Sequence, residues 1–325
     1  LILKFLVGAL ILGFAPALAA ARPQMPFAPP NGFALYTFYP GAPPFEDSAT
    51  TPGADWHITT YAVKGAVGTF APFQQTGPGT WVSTQPWADI TVSKDAGGWA
   101  LRIRQDGAHA ACLTPHGQPS EDDLLVEPDG AAVNTALYRT KMDFPHLGAL
   151  SSLNVSGVFT LNEGGPSPGL APCRINHAGA VVKVTLIDDA VQPKQIFWYA
   201  LRVGQSCTPD AGQTGCRQGP QITQWYWNGT NGNVKDKDGN IKILNYGLTD
   251  VMGSFGQALA APGVPMPLSL DLLPQLTALI NGGQPGIDTN LSDWRLAGFS
   301  YGQALWGNTV LDVTWRDMGL SWTVK

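Results

Sequence analysis

Near its C-terminal end the chain alternates with a period of two. Over residues 309–316 Leu311, Val313 and Trp315 take turns with Asp312, Thr314 and Arg316, so one face of the segment is apolar and the other polar. Only an extended strand half-buried in a sheet places such residues on opposite sides. The run just before it, 294–303, reads as a second strand, and residues 270–279 carry the one convincing helical pattern. In that helix Leu272, Leu273, Leu276, Leu279 and Ile280 fall near one stripe, Asp271 is an N-cap, Pro274 is tolerated in the first turn and Asn281-Gly282-Gly283 ends it. One helix cannot cover a large sheet, so the sheets are expected to cover each other.

The same alternation recurs upstream. Residues 87–93 and 99–105 flank Lys94-Asp95-Ala96-Gly97-Gly98 and predict a hairpin, with Trp99, Leu101 and Ile103 on one side and Arg102 and Arg104 on the other. Further strands are predicted at 33–39, 56–63, 136–144, 152–161, 180–187, 195–203, 222–227 and 241–245. In 195–203 both faces are largely apolar, Gln195, Phe197, Tyr199, Leu201 and Val203 opposite Ile196, Trp198, Ala200 and Arg202, which marks a central strand. Residues 106–134 read as a polar connection, with Glu121-Asp122-Asp123 a solvated loop. Asp236-Lys237-Asp238-Gly239-Asn240 has the look of a calcium loop but lacks the distal carboxylate, and reads as a hairpin turn. A composition of 38 Gly, 27 Pro and 11 Trp with only 13% charged residues in 325 suits many short strands and tight turns.

Residues 1–21 read as a leader: Lys4, an apolar run over 5–14, then Pro16-Ala17-Leu18-Ala19-Ala20-Ala21. That predicts secretion, extracellular or periplasmic. In an oxidising compartment the four cysteines are expected to pair, Cys207 with Cys216 across a short loop and Cys112 with Cys173 by elimination. Eight prolines between residues 22 and 55 predict an extended arm, leaving residues 56–325 as a single domain. No later run is long enough to span a membrane. A net charge of -5 without a Lys/Arg block gives nucleic acid no electrostatic footprint. Nothing in the spacing calls for a metal or cofactor, and the oligomeric state is left open.

This layout, with the early hairpin Trp99-Ala-Leu-Arg-Ile-Arg104, broad central strands and a late closing pair, resembles the concanavalin A-like lectin and glucanase superfamily. The resemblance implies an all-β, two-sheet antiparallel β-sandwich of the jelly-roll kind with one short helix in the C-terminal region. It also implies a polysaccharide or glycan as partner, held on the concave face, and an activity among glycoside hydrolases, polysaccharide lyases and lectins. Retaining glycosidases of the fold carry carboxylates two residues apart on one strand face. Here the four glutamates, Glu46, Glu121, Glu127 and Glu163, all fall in turn-like surroundings, and Asp143 and Asp312 are the strand-borne acids.

A lyase needs a cation or amide to neutralise a uronate and a Tyr or His to move its α-proton; Arg139, His177, Gln195 and Tyr199 are the candidates. Some lyases of this fold are similar in carrying a Gln-Ile-His strand, where Gln195-Ile196-Phe197 departs from the pattern. Binding alone needs aromatic platforms and hydrogen-bonding groups, for which Trp225 and Trp227 are candidates; Arg102, Arg104 and Lys141 would favour an anionic glycan. Gly298-Phe299-Ser300-Tyr301-Gly302 matches a nucleophile elbow, but no His follows His177 and a strand, not a helix, is predicted after the serine. Binding and cleavage of a polysaccharide both remain open. The rival reading is a structural or adhesive surface protein whose proline-rich arm docks into a neighbour.

Overall fold

The structure, a computed structural model, describes residues 25–26, 33–37, 45–48, 56–61, 71–84, 87–110, 121–128, 144–170, 177–188, 190–191, 194–207, 224–226, 233–235, 241–282 and 287–325. Two sheets account for nearly all of it. The smaller runs β16 (Met266–Asp271), β10 (Leu150–Pro166), β18 (Thr309–Val324), β8 (Gly98–Asp106), β7 (Ala88–Asp95), β6 (Thr80–Thr84), β5 (Gln74–Gly77), with β1 (Met25–Pro26) also on β18. The larger runs β13 (Gln224–Tyr226), β15 (Ile241–Asp250), β12 (Lys194–Cys207), β11 (His177–Asp188), β17 (Trp294–Trp306), β9 (Glu121–Pro128), β4 (Trp56–Tyr61), β2 (Phe33–Thr37), β3 (Phe45–Ser48), with β14 (Asn233–Lys235) also on β15. Pairing is antiparallel except between β12 and β15 and between β2 and β4, which run parallel.

The sheets lie face to face, and aromatic rings join them. Trp315 of β18 meets Tyr301 of β17 at 5.3 Å between ring centroids and its own sheet neighbour Phe159 at 4.6 Å. All three are fully buried. Each ring removes roughly 150–250 Å² from water, a gross gain on the order of 4–6 kcal/mol before chain entropy. Around them the inward positions follow the predicted alternation: Leu101 and Ile103 on β8, Leu311 and Val313 on β18, Val182, Val184 and Leu186 on β11, Phe197, Tyr199 and Leu201 on β12. The all-β sandwich expected from the sequence is therefore the observed architecture, and the 195–203 strand is internal, flanked by β11 and β15.

Several local expectations are corrected. Residues 121–128, read as part of a polar connection, form β9, which fills the slot between β17 and β4. Leu124, Leu125 and Val126 register there with Gln303, Gly302 and Tyr301. Two waiting strand edges satisfy the backbone of β9, an incentive that its acidic composition conceals. All four glutamates lie in strands, Glu46 in β3, Glu121 and Glu127 in β9, Glu163 in β10, and none in a turn. The predicted helix begins later: Leu270 and Asp271 belong to β16, and α2 spans Leu273–Asn281, after a one-turn α1 at Val251–Phe255. Asp271 still meets the helix start, since its Oδ1 accepts from the Leu273 amide (3.1 Å) and from the Leu153 amide (2.9 Å). Residues 236–240 lie outside the described set, while their flanks pair as a hairpin, Lys235 opposite Ile241.

β10 bends at a bulge where Gly157 takes φ +147° against β18. A Cβ there would meet the Met318 sulfur and stand 3.0 Å from the Arg316 carbonyl oxygen. Gly157→Ala is expected to cost about 1–3 kcal/mol, read as a lowered urea midpoint at unchanged m-value.

Candidate functional site

With one face of the larger sheet committed to the core, the other parity of its central strands faces away from the smaller sheet. β11 presents Lys183 and Thr185 there, β12 presents Trp198, Ala200 and Arg202, and β17 presents Ser300. Register brings them together. Lys183 lies between Ala200 and Ser300, Thr185 between Trp198 and Gly298, and Val181 between Arg202 and Gly302. The small neighbours Ala200, Gly298 and Gly302 leave room for the long side chains among them.

The Lys183 ammonium sits 4.7 Å from the centre of the Trp198 ring, within cation–π range. Arg202 donates from Nη1 to Gln205 Oε1 at 3.1 Å. Lys183, Thr185, Arg202 and Ser300 are only 7, 4, 5 and 3% exposed, whereas Trp198 is half-buried. Burying two cations on one sheet face is costly unless hydrogen bonds, ring faces or opposite charges meet them. The buried atoms Ser300 Oγ and Trp198 Nε1 have no hydrogen-bond partner among the described residues. Ser300 stands mid-strand, opposite Lys183, so Gly298-Phe299-Ser300-Tyr301-Gly302 forms no strand-to-helix elbow.

The residues singled out from sequence are dispersed. Gln195 and Tyr199 share the inward parity of β12, and burial raises the Tyr199 phenol far above its usual range, so it holds its proton at neutral pH. Arg102 and Arg104 lie on β8 of the smaller sheet, opposite in parity to the core residues Leu101 and Ile103. The two arginines therefore do not share a groove with Gln195 and Tyr199. His177 opens β11, in register with Cys207 and Trp306, and Trp225 on β13 pairs with Gly247. Cys207 closes β12. Arg139, Lys141, Asp143, Trp227, Cys112, Cys173 and Cys216 lie outside the described residues. Among those described, no group of three or more His, Cys, Asp or Glu could hold a metal ion, and no helix is long and apolar enough to cross a membrane.

On the solvent face of the smaller sheet Arg102 clamps Asp312, its Nε donating to Oδ1 at 2.9 Å and to Oδ2 at 3.2 Å. Asn162, at a second β10 bulge between Leu161 and Glu163, donates from Nδ2 to the same Oδ1 at 2.9 Å and to Thr314 Oγ1 at 2.9 Å. The Asp312 side chain is 3% exposed and that of Arg102 55%, so the arginine is the solvated partner of a buried carboxylate. Arg104 stands 3.5 Å from Glu163. This ladder ties three strands together and leaves Arg102 engaged within the fold. Arg102→Ala strands a buried anion and is expected to cost about 1–3 kcal/mol at pH 7. The loss is read as a lowered urea midpoint at unchanged m-value.

At one end of the larger sheet Asp188 is fully buried, its Oδ1 accepting from the Ala190 amide at 2.8 Å. Burial, and next the charges of Asp288 and Asp293, raise its pKa. The folded protein thus binds this proton more tightly than the unfolded chain, and the carboxylate opposes folding above its folded pKa. That opposition fades as the pH falls toward the unfolded value near ~4. Asp188→Asn is expected to unfold at higher denaturant than the unsubstituted protein at pH 7, with the difference vanishing on acidification.

No protein-family profile and no curated protein matches the chain. Similar solved structures include a family 11 xylanase from Neocallimastix patriciarum, at 8% identity over 77% of this chain and 99% of that one, with a TM-score of 0.40. Another is endoglucanase 3 of family GH12 from Trichoderma harzianum, at 11% identity, 82% and 98% coverage and a TM-score of 0.41. A third is a family 12 xyloglucanase from Bacillus licheniformis, at 7% identity, 81% and 100% coverage and a TM-score of 0.38. Likeness at this level concerns layout and transfers no residue role.

Lys183, Trp198 and Ser300 were not legible as a site from sequence. Lys183 and Thr185 interrupt the apolar run 180–187 two residues apart, the local sign that the outward face of β11 is polar. Its coincidence with Trp198 exists only through the β11–β12 register.

Proposed function

We propose that this is a secreted carbohydrate-binding β-sandwich that holds an extracellular polysaccharide on the outward face of the larger sheet. The observation that carries the reading is the half-buried Trp198 ring with the Lys183 ammonium against it and the Thr185 and Ser300 hydroxyls on the neighbouring strands. A sugar ring offers C–H groups to an aromatic face and hydroxyls to polar groups around it, so a ring flanked by pre-placed polar side chains suits it. Secretion rests on the leader-like residues 1–21.

Cleavage by the lyase set is less well supported than binding. Tyr199 and Gln195 point into the inter-sheet layer, and a buried phenol with a raised pKa is a poor base. The assembly reading is also less well supported: β1 pairs with β18 and β2 with β4, so these arm strands spend their backbone hydrogen bonds on the chain's own sheets. A domain that uses its arm internally has less of it to donate to a neighbour.

Affinity electrophoresis in gels carrying xylan, mixed-linkage β-glucan or a uronate polymer tests the reading. The protein should be retarded in at least one gel, and Trp198→Ala should weaken that retardation at least about ten-fold while far-UV circular dichroism stays unchanged. Equal retardation of a folded Trp198→Ala protein would remove the site from this face.

A further inference from the structure

We infer that Asn290 is an acceptor for an N-linked glycan. The inference rests on the secretion proposed above, because the transferases that carry out this reaction act on exported chains, and it is independent of the polysaccharide face. Asn290-Leu291-Ser292 is an Asn-x-Ser tripeptide whose middle residue is not proline. The pattern supplies a carboxamide to be modified and a hydroxyl two residues on, and a surface loop is the setting in which a folded chain carries the product.

The segment leading into β17 gives the tripeptide that setting. Asn290 and Ser292 are exposed, whereas Leu291 between them is half-buried against the core and its carbonyl accepts from the Gly148 amide at 3.1 Å. The middle residue thus anchors the loop while the two residues the reaction needs stay at the surface. The turn is tied at both ends, since Asp288 Oδ1 accepts from the Asn290 amide at 2.8 Å and the Asp293 amide donates to the Asn290 carbonyl at 3.0 Å. The Asn290 carboxamide is itself oriented from two sides: Oδ1 accepts from the Ser292 amide at 3.2 Å, and Nδ2 donates to Asp293 Oδ2 at 2.8 Å. Nδ2 carries two hydrogens and Asp293 takes one, so a sugar carbon can replace the other without breaking that contact. In the transfer Nδ2 bonds to the anomeric carbon of a lipid-linked oligosaccharide pyrophosphate. The anomeric C–O bond breaks with its electron pair leaving on the pyrophosphate, and the displaced proton passes to a base of the transferase.

The pattern recurs at Asn154-Val155-Ser156 and Asn228-Gly229-Thr230. Asn154 lies within β10, paired with Asp271 on one side and Ser321 on the other, so its backbone is committed to the ladder once the chain has folded. Residues 228–230 lie outside the described set. Among the described residues Asn290 is therefore the acceptor that the folded surface presents in a loop.

The full chain is produced in a eukaryotic host that has an N-glycosylation pathway, once with residues 1–21 in place and once with a leader of the host in their stead. Protein from cells and medium together is treated with peptide-N-glycosidase, which leaves aspartate where a glycan stood, and the peptide around position 290 is read by tandem mass spectrometry. Most molecules are expected to have carried a glycan at Asn290. Asn290→Gln and Ser292→Ala should each lose the mass of one glycan, and Ser292→Thr, which keeps the hydroxyl, should retain it. An unmodified Asn290 behind the host leader overturns the inference, whatever stands at Asn154 or Asn228. Modification behind the host leader but export failing with residues 1–21 overturns the secretion reading and leaves the acceptor standing.

Discussion

The sandwich hangs on the contact between Trp315 and Tyr301, the place where rings from the two sheets meet inside the protein. Phe159 and Phe299 extend the same aromatic layer along their own sheets, at 4.6 Å from Trp315 and 5.9 Å from Tyr301. Gly204 shows how tightly the layers approach. A Cβ on it would fall 2.7 Å from the Phe159 ring, so only a residue without one lets β12 pass over β10 at that point. Once those rings are buried, side-chain parity is decided for every strand that crosses the layer, because a slip by one residue would turn the rings to water.

That choice of parity creates the proposed site as its complement. The strands that put Val182, Tyr199 and Tyr301 into the core must put Lys183, Arg202 and Ser300 on the opposite side. The polar residues there are held by three adjacent strands, each paired on both sides. Side chains on such a face are positioned by the ladder hydrogen bonds of the backbone beneath them and by the core below. The smaller sheet follows the same logic with another outcome. Its outward residues Arg102, Asn162, Asp312 and Thr314 satisfy one another, which makes that face a brace between β8, β10 and β18.

β9 shows the limit of reading segments one at a time. Glu121-Asp122-Asp123 has the composition of a solvated loop, yet the segment is a strand because β17 and β4 present unpaired edges on either side of it. Backbone hydrogen bonding supplied by partners far away in sequence outweighs local propensity. β16 gives the gentler case: Leu270, expected at the start of the helix, instead continues the alternation of Met266 and Leu268, and pairing with β10 selects the strand.

By itself the sequence determined which side chains alternate along 309–316 and 99–105, that a helix lies near residue 275, and that two sheets must cover each other. Those properties are local or compositional, carried by periods of two and 3.6 and by the scarcity of helical stripes. Only the tertiary structure decided which strands are neighbours. Gln195 and Tyr199 became core residues, Arg102 was taken by Asp312, and Lys183 found Trp198 and Ser300, because strand order and register are set by the joint burial of rings far apart in the chain.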